Sequence, residues 1–147
     1  MAKMKKIVNE MKLRVPAVSV NEAVCRSAIT AFCASSDPTT TELGDIRLAL
    51  SEAVTNCIVH AYRNEIGKIY ITADLLENSI IRIKIRDHGC GIDDVKIART
   101  PLYTTDKAGE RSGMGFTVME SFCDAVQVSS KSGKGTSVTL YKKINGR

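Results

Sequence analysis

The chain has 147 residues, 44% of them hydrophobic and 25% charged, with a formal net charge of +5. That length suits one domain with its own core, and the composition is that of an ordinary globular domain, which excludes disorder and coiled coil as descriptions of the whole. No apolar run approaches the ~20 residues of a membrane-spanning helix, and Met1–Met11 carries lysines without the apolar stretch of a secretory signal.

Met11-Lys-Leu-Arg-Val-Pro16 alternates apolar and basic residues and predicts an edge strand ended by Pro16. Ser19-Val-Asn-Glu22 reads as a capping box ahead of a helix marked by Val20, Val24, Ile29, Ala31 and Phe32 and closed by Ser35-Ser-Asp-Pro38. A longer helix is predicted from near Thr39 to about Tyr62, with Leu43, Ile46, Leu50, Ala53, Val54, Cys57 and Ala61 as its buried stripe. Lys68–Leu76 and Ser79–Arg86 each alternate and are joined through Glu77-Asn78, which predicts an antiparallel hairpin. A short helix over Asp93–Ala98, a loop over Arg99–Ser112 and a helix over Met114–Phe122 follow. Strands over Ala125–Ser130 and Thr136–Lys142, joined across Lys131–Gly135, complete the chain.

Strands and helices do not alternate singly, so a doubly wound parallel sheet fits poorly. The order predicts an α/β two-layer sandwich, a mixed and mostly antiparallel sheet with helices on one face. Residues 11–147 read as one domain and residues 1–10 as a basic N-terminal extension.

The positive charge is unevenly spread. Residues 1–14 hold five basic groups against Glu10, residues 125–147 hold five and no acid, and the segment between is acidic. Net charge alone raises nucleic-acid binding, but no helix-turn-helix or RNA-binding signature accompanies it, so no direct nucleic-acid contact is expected. The five cysteines are odd in number and form no CxxC pair. That pattern argues against a disulfide framework or zinc site and for reduced core thiols in a cytoplasmic protein.

Four features bear polar chemistry. Glu52, Asn56 and His60 recur at i, i+4 and i+8 on the long helix, a step that drifts only ~40° around an α-helix. Asp87-His-Gly89-Cys-Gly91 ends a strand with an acid and two glycines, a pattern suited to close backbone approach. Gly113-Met-Gly115 opens a helix, where free N–H groups and the helix dipole favour phosphate, with Arg111 two residues before it. Gly133-Lys-Gly135-Thr136 joins the last strands. Taken singly, the first reads more readily as a solvated helix flank, the second as a turn and the last as a hairpin. No G-x-G-x-x-G fingerprint and no P-loop is present.

Taken in order, Glu52-x-x-x-Asn56-x-x-x-His60, Asp87-x-Gly89-x-Gly91, Gly113-x-Gly115 and Gly135-Thr136 resemble the nucleotide-binding boxes of the GHKL ATPases, the Bergerat or histidine-kinase-like ATPase fold. Leu50–Asn56, Pro101–Thr105 and Glu110–Thr117 bring the chain closest to the small serine kinases that act as anti-sigma factors in sporulation. The resemblance implies that Asn56 holds Mg²⁺ at the phosphates of ATP, or of ADP after transfer, and that Glu52 is the general base toward an acceptor hydroxyl. By the same resemblance His60 flanks the nucleotide, Asp87 accepts from the adenine amine, and Thr136 completes the adenine pocket.

The resemblance further implies that Arg111 contacts the γ-phosphate, that Ser112, Gly113, Met114 and Gly115 wrap the phosphates, and that Thr104 and Thr105 belong to a lid. It implies a homodimer that binds a sigma factor of the sigma F type, partly through Arg26, and phosphorylates a serine on an anti-anti-sigma factor. The alternatives are an ATP-binding anti-sigma module of the general-stress type and one that sequesters sigma without kinase activity. A detached histidine-kinase catalytic domain fits poorly, since His60 and His88 both fall in the nucleotide region. Cys90, between the two glycines, departs from the family pattern and raises the expectation of a thiol facing the nucleotide.

Overall fold

A computed structural model describes residues 5–62, 65–92, 95, 99 and 115–146. The element order is β1 (Ile7–Pro16), α1 (Val20–Cys33), α2 (Thr40–Asn56), β2 (Lys68–Leu76), β3 (Ile80–Asp87), α3 (Gly115–Phe122), β4 (Ala125–Lys131) and β5 (Gly135–Lys143). The five strands form one sheet in the order β1-β2-β3-β5-β4. All four ladders are antiparallel, so the parallel pairing that a mixed sheet allows is not used among the described strands.

Period-two alternation sets the two faces of the sheet. Leu13, Ile71, Ile85, Val138 and Val128 stand in register across all five strands, and Met11, Ala73, Ile83, Leu140 and Val126 form the next row. These rows meet the helices: Ile71, Ile83 and Ile85 are almost fully buried with Ile29, Ile46, Leu50, Val54 and Met119. Burying each such isoleucine stabilises the fold by roughly 1.5–3 kcal/mol. The opposite face carries Lys12, Arg14, Tyr70, Thr72, Arg82, Lys84, Arg86 and Thr139. There the Arg82 guanidinium donates from Nε (3.1 Å) and an Nη (2.8 Å) to Oδ2 of the nearly buried Asp74.

Three expectations change at the helices and the first strand. The predicted capping box at Ser19 does not form. Ser19 already has α-helical angles (φ −54°, ψ −38°) and makes no side-chain cap bond, whereas an N-cap hydroxyl reaches its target from the extended region. Glu22 instead accepts from Ser51 Oγ (2.5 Å) and Arg26 (3.2 Å), tying α1 to α2. The capping box lies at Thr39-x-x-Glu42, where Thr39 is extended (φ −68°, ψ 162°) and both reciprocal bonds are present. Glu42 also accepts from the N–H groups of Asn145 and Gly146, pinning the chain end to the start of α2.

Second, the long helix is not α-helical to Tyr62. It leaves α geometry after Asn56 and continues as a π-helical turn over Cys57–Ala61. Third, β1 begins at Ile7 rather than Met11. Ile7 pairs with Leu76, Asn9 with Leu75 and Glu10 with Asp74 across an irregularity, so residues 7–10 lie in the sheet. The hairpin of β2 and β3 and that of β4 and β5 form as predicted, to within a residue at their turns. The predicted helix over Asp93–Ala98 and the loop over Arg99–Ser112 lie largely outside the described residues. No helix among the described residues is long and apolar enough to cross a membrane.

Candidate functional site

Glu52 and Asn56 sit one turn apart on the flank of α2, both half-buried beside the apolar stripe of Leu50, Ala53 and Val54. Packing of α3 against α2 brings Gly115, the first residue of α3, over this pair. A Cβ built on Gly115 would stand 3.4 Å from Glu52 Oε2, 3.5 Å from Asn56 Nδ2 and 3.6 Å from Asn56 Oδ1. A carboxylate, a carboxamide and a helix N-terminus therefore converge across a space that a glycine leaves open. Phe116 and Met119, buried on α3, hold it there.

His60 lies in the π-helical turn. The i→i+5 winding of such a turn takes it off the straight stripe of Glu52 and Asn56. The turn also delivers the last carbonyls of the helix to the first glycine box. Cys90 N–H donates to the Ala61 carbonyl (2.9 Å) and the Cys90 thiol to that of His60 (3.3 Å), satisfying acceptors left over at the helix end.

Asp87 closes β3 on the helix-facing side, two residues beyond Ile85, and is 5% exposed. Its row continues into Thr136 of β5 and Ser130 of β4, so the register that builds the core also lines up these polar groups. Asp87 Oδ1 accepts from the N–H of Gly89 (2.9 Å) and Thr136 (3.2 Å), and Oδ2 accepts from the Cys57 thiol (3.6 Å). Burial pushes the Asp87 carboxyl above its usual value, and the two N–H donors and the thiol pull in the opposite direction. Ser130 Oγ accepts from Ile92 N–H (2.7 Å), donates to the Gly135 carbonyl (3.0 Å) and is hydrogen-bonded with Thr136 Oγ1 (2.8 Å).

Gly89 is where a side chain is excluded by close approach: a Cβ there would lie 2.2 Å from the Ala61 carbonyl oxygen. Gly91 similarly abuts the Lys131 carbonyl, and Gly133 N–H donates to Cys90 O (2.7 Å). The first glycine box is thus clamped between the end of α2 and the β4–β5 turn. Tyr62 steadies the same corner: its hydroxyl accepts from His88 N–H (2.7 Å) and donates to Lys68 O (2.8 Å).

Glu52, Asn56, Gly115, His60, Asp87, Gly89, Gly91 and Thr136 accordingly gather around the ends of α2, β3 and β5 and the start of α3. Thr104, Thr105, Arg111, Ser112, Gly113 and Met114 lie outside the described residues. Arg26 is apart from this group, on α1, partly exposed and paired with Glu22 at 3.2 Å. All five cysteines are free; Cys25, Cys33 and Cys57 are buried and Cys90 is exposed. Two groups were missed by sequence reading, the Cys57 thiol and the Ser130 hydroxyl. Cys57 reads as one apolar position of a helical stripe, and Ser130 becomes legible only through its register with Thr136.

No group of three or more His, Cys, Asp or Glu among the described residues could hold a metal ion. What Glu52 and Asn56 offer beneath the open Gly115 is hard oxygen donors, few in number. That set fits Mg²⁺, which keeps most of its waters and takes phosphate oxygens beside one or two protein ligands.

A family model described as the histidine kinase-like ATPase domain matches residues 15–142. The chain is 51% identical over 136 residues to the anti-sigma F factor of Caldanaerobacter subterraneus subsp. tengcongensis, covering 92% of this chain and 94% of that protein. It is 48% identical over 137 residues to the anti-sigma F factor of Anoxybacillus flavithermus, covering 92% and 93%. Among solved structures, that of the RsbU and RsbW domains of Rv1364c from Mycobacterium tuberculosis superposes with a TM-score of 0.70 at 18% identity. That match spans 93% of this chain and 33% of the other, and it bears on the fold alone.

Proposed function

The chain belongs to the histidine kinase-like ATPase domain family, and on that footing we propose that it is an anti-sigma factor of the sigma F type that phosphorylates a serine of an anti-anti-sigma factor. The observation that carries the chemistry is the convergence of Glu52, Asn56 and the start of α3 around Gly115. The relatives named anti-sigma F factor support the choice of partner class.

ATP binds with its adenine at Asp87 and its phosphates toward Asn56 and Gly115. The Asp87 carboxylate accepts from the exocyclic amine of adenine and disfavours guanine, which presents a carbonyl at that edge. Thr136 and Ser130 continue the polar row beside the base. Asn56 would hold Mg²⁺ through its amide oxygen, and the ion would supply charge neutralisation for the phosphates. Glu52 accepts the proton of the incoming serine hydroxyl as its oxygen bonds to the γ-phosphorus. The bond to the β-phosphate oxygen breaks and ADP leaves. Positioning and charge neutralisation carry most of such a transfer. Arg111, Thr104, Thr105, Ser112, Gly113 and Met114 are the further phosphate-binding candidates that the sequence resemblance implies.

Sigma and anti-anti-sigma partners dock in part on α1 through Arg26. A homodimer forms near β1 and α1. β1 is an edge strand, and Ile7 (43% exposed), Val8 (62%), Val20 (73%) and Val24 (48%) leave apolar surface on these two elements. The buried reduced thiols suit the cytoplasm.

The test is transfer of labelled γ-phosphate from MgATP to a cognate anti-anti-sigma protein. Wild type labels a serine, and Glu52→Gln abolishes labelling while ATP binding persists. Transfer retained in Glu52→Gln removes that residue from the mechanism. Sigma binding without any transfer by the wild type replaces the kinase with a sequestering module.

A further inference from the structure

The acceptor capacity of Asp87 is nearly used up by the protein itself. An ionised carboxylate has about four lone-pair directions, two on each oxygen. Oδ1 spends both on the N–H groups of Gly89 and Thr136. Oδ2 receives the Cys57 thiol at 3.6 Å, which leaves it one direction. We propose that Cys57 is a positioning residue for base recognition: its S–H donor occupies one side of Asp87 Oδ2 and so decides which direction the carboxylate offers to the exocyclic amine of the nucleotide base. This rests on the reading of Asp87 as the adenine acceptor and deepens it.

The surroundings suit the role. Cys57 is 4% exposed, at the first position of the π-helical turn, directly under the end of β3. Closed off from solvent and 3.6 Å from a carboxylate oxygen, the thiol acts as an S–H donor to it. The same turn carries Ala61, whose carbonyl takes Cys90 N–H, so one backbone feature sets both the donor beneath Asp87 and the glycine box beyond it. Without the thiol, Oδ2 regains a free lone pair next to a buried site. The carboxyl can then swing, or take up a proton and donate to a guanine carbonyl.

The experiment compares equilibrium binding of ATP and GTP to the full-length protein as wild type, Cys57→Ser, Cys57→Val and Cys57→Ala, with thermal unfolding followed in parallel. A hydroxyl keeps the donor, valine keeps volume without one, and alanine keeps neither. The expected ATP-over-GTP preference falls roughly three- to tenfold in Cys57→Ala and Cys57→Val, as for loss of one hydrogen bond of ordinary net strength from a weak S–H donor, and stays within about twofold of wild type in Cys57→Ser. Should Cys57→Ala fail to fold, Cys57→Val carries the comparison. A preference unchanged in Cys57→Val overturns the proposal, as does an equal fall in Cys57→Ser, which would assign the effect to packing. A wild type that does not discriminate ATP from GTP sinks the reading of Asp87 instead.

Discussion

Gly115 stands against the Asn56 amide so closely that a single added carbon would lie 3.5 Å from Nδ2 and 3.6 Å from Oδ1. These are ordinary contact distances, so a methyl group fits there without displacing the backbone. It would nevertheless occupy the space over the amide where the proposed function puts the phosphates.

Gly115→Ala therefore separates folding from ligand binding. Its unfolding temperature should equal or slightly exceed that of wild type, since alanine favours a helix by up to about 1 kcal/mol over glycine. Its MgATP affinity should fall, by about tenfold if one well-placed contact is lost. Isothermal titration beside thermal unfolding reads both, and an unaltered affinity would put the phosphates elsewhere.

Gly135 presents the opposite case. It has φ +99°, and a Cβ there would lie 2.2 Å from the Asp87 carbonyl oxygen, a backbone atom that cannot step aside. Gly135→Ala must part β5 from β3 at the point where Thr136 N–H reaches Asp87. A loss of roughly 2–4 kcal/mol in chemical denaturation is expected, together with loss of nucleotide binding. Gly133, at φ +77° with nothing within 4 Å, is the control. Gly133→Ala should cost only about 1–2 kcal/mol, the penalty of the left-handed conformation itself.

Asp87 gives the site a pH dependence of known sign. Its carboxyl is raised above 3.8, chiefly by burial. A raised folded-state value means that the native protein holds this proton more tightly than the unfolded chain. That contribution to stability is present below the unfolded pKa and is lost as pH rises through the folded one. The proposed base recognition runs the other way, because a carboxylate accepts from the adenine amine more strongly than the protonated acid does. ATP affinity should start to fall at a higher pH than an ordinary aspartate would dictate, on descending from pH 7 toward the raised value. Asp87→Asn should bind more weakly at pH 7, by roughly 1.5–3 kcal/mol, and lose this dependence. Titrations of ATP binding against pH for both proteins check it.

The cysteines should separate by exposure. Burial pushes the Cys25 and Cys33 thiols up to about 11 and about 12, and Cys123 to about 11, so little thiolate forms on them at pH 7.5. Cys90 is exposed at the glycine box beside His60. Iodoacetamide on the native protein should label Cys90 first, and saturating MgATP should slow that labelling. Peptide mapping by mass spectrometry reads the order, and labelling of Cys90 at an unchanged rate would place its thiol away from the nucleotide.

Much of this architecture follows from local physics that a sequence carries openly. The strict alternation of Ile81, Ile83 and Ile85 with Arg82, Lys84 and Arg86 sets β3 and its two faces, because side chains on a strand point to opposite sides whatever they pack against. The same parity puts Asp87 on the core side. The four-residue spacing of Glu52 and Asn56 likewise sets them on one flank of α2 before any partner is known.

Tertiary structure decided what depends on groups distant in sequence. Ser19-x-x-Glu22 and Thr39-x-x-Glu42 share one capping pattern, but only the second forms, because Glu22 is drawn to Ser51 and the backbone at Ser19 is already helical. The π-helical turn over Cys57–Ala61 has no periodic signature. It coincides with the carbonyls handed to Cys90 and the thiol held by Asp87, thirty residues away. The charge resolves in the same way. Composition reports a surplus of +5, whereas the fold gathers Lys84, Arg86, Lys131 and Lys134 along a groove of ≈ 520 Å³ whose walls reach the solvent face of the sheet. Propensity and parity act between neighbours and can be read along the chain. A lone pair's partner, a glycine's clearance and a cation's neighbours are set by contacts that exist only once the chain has closed on itself.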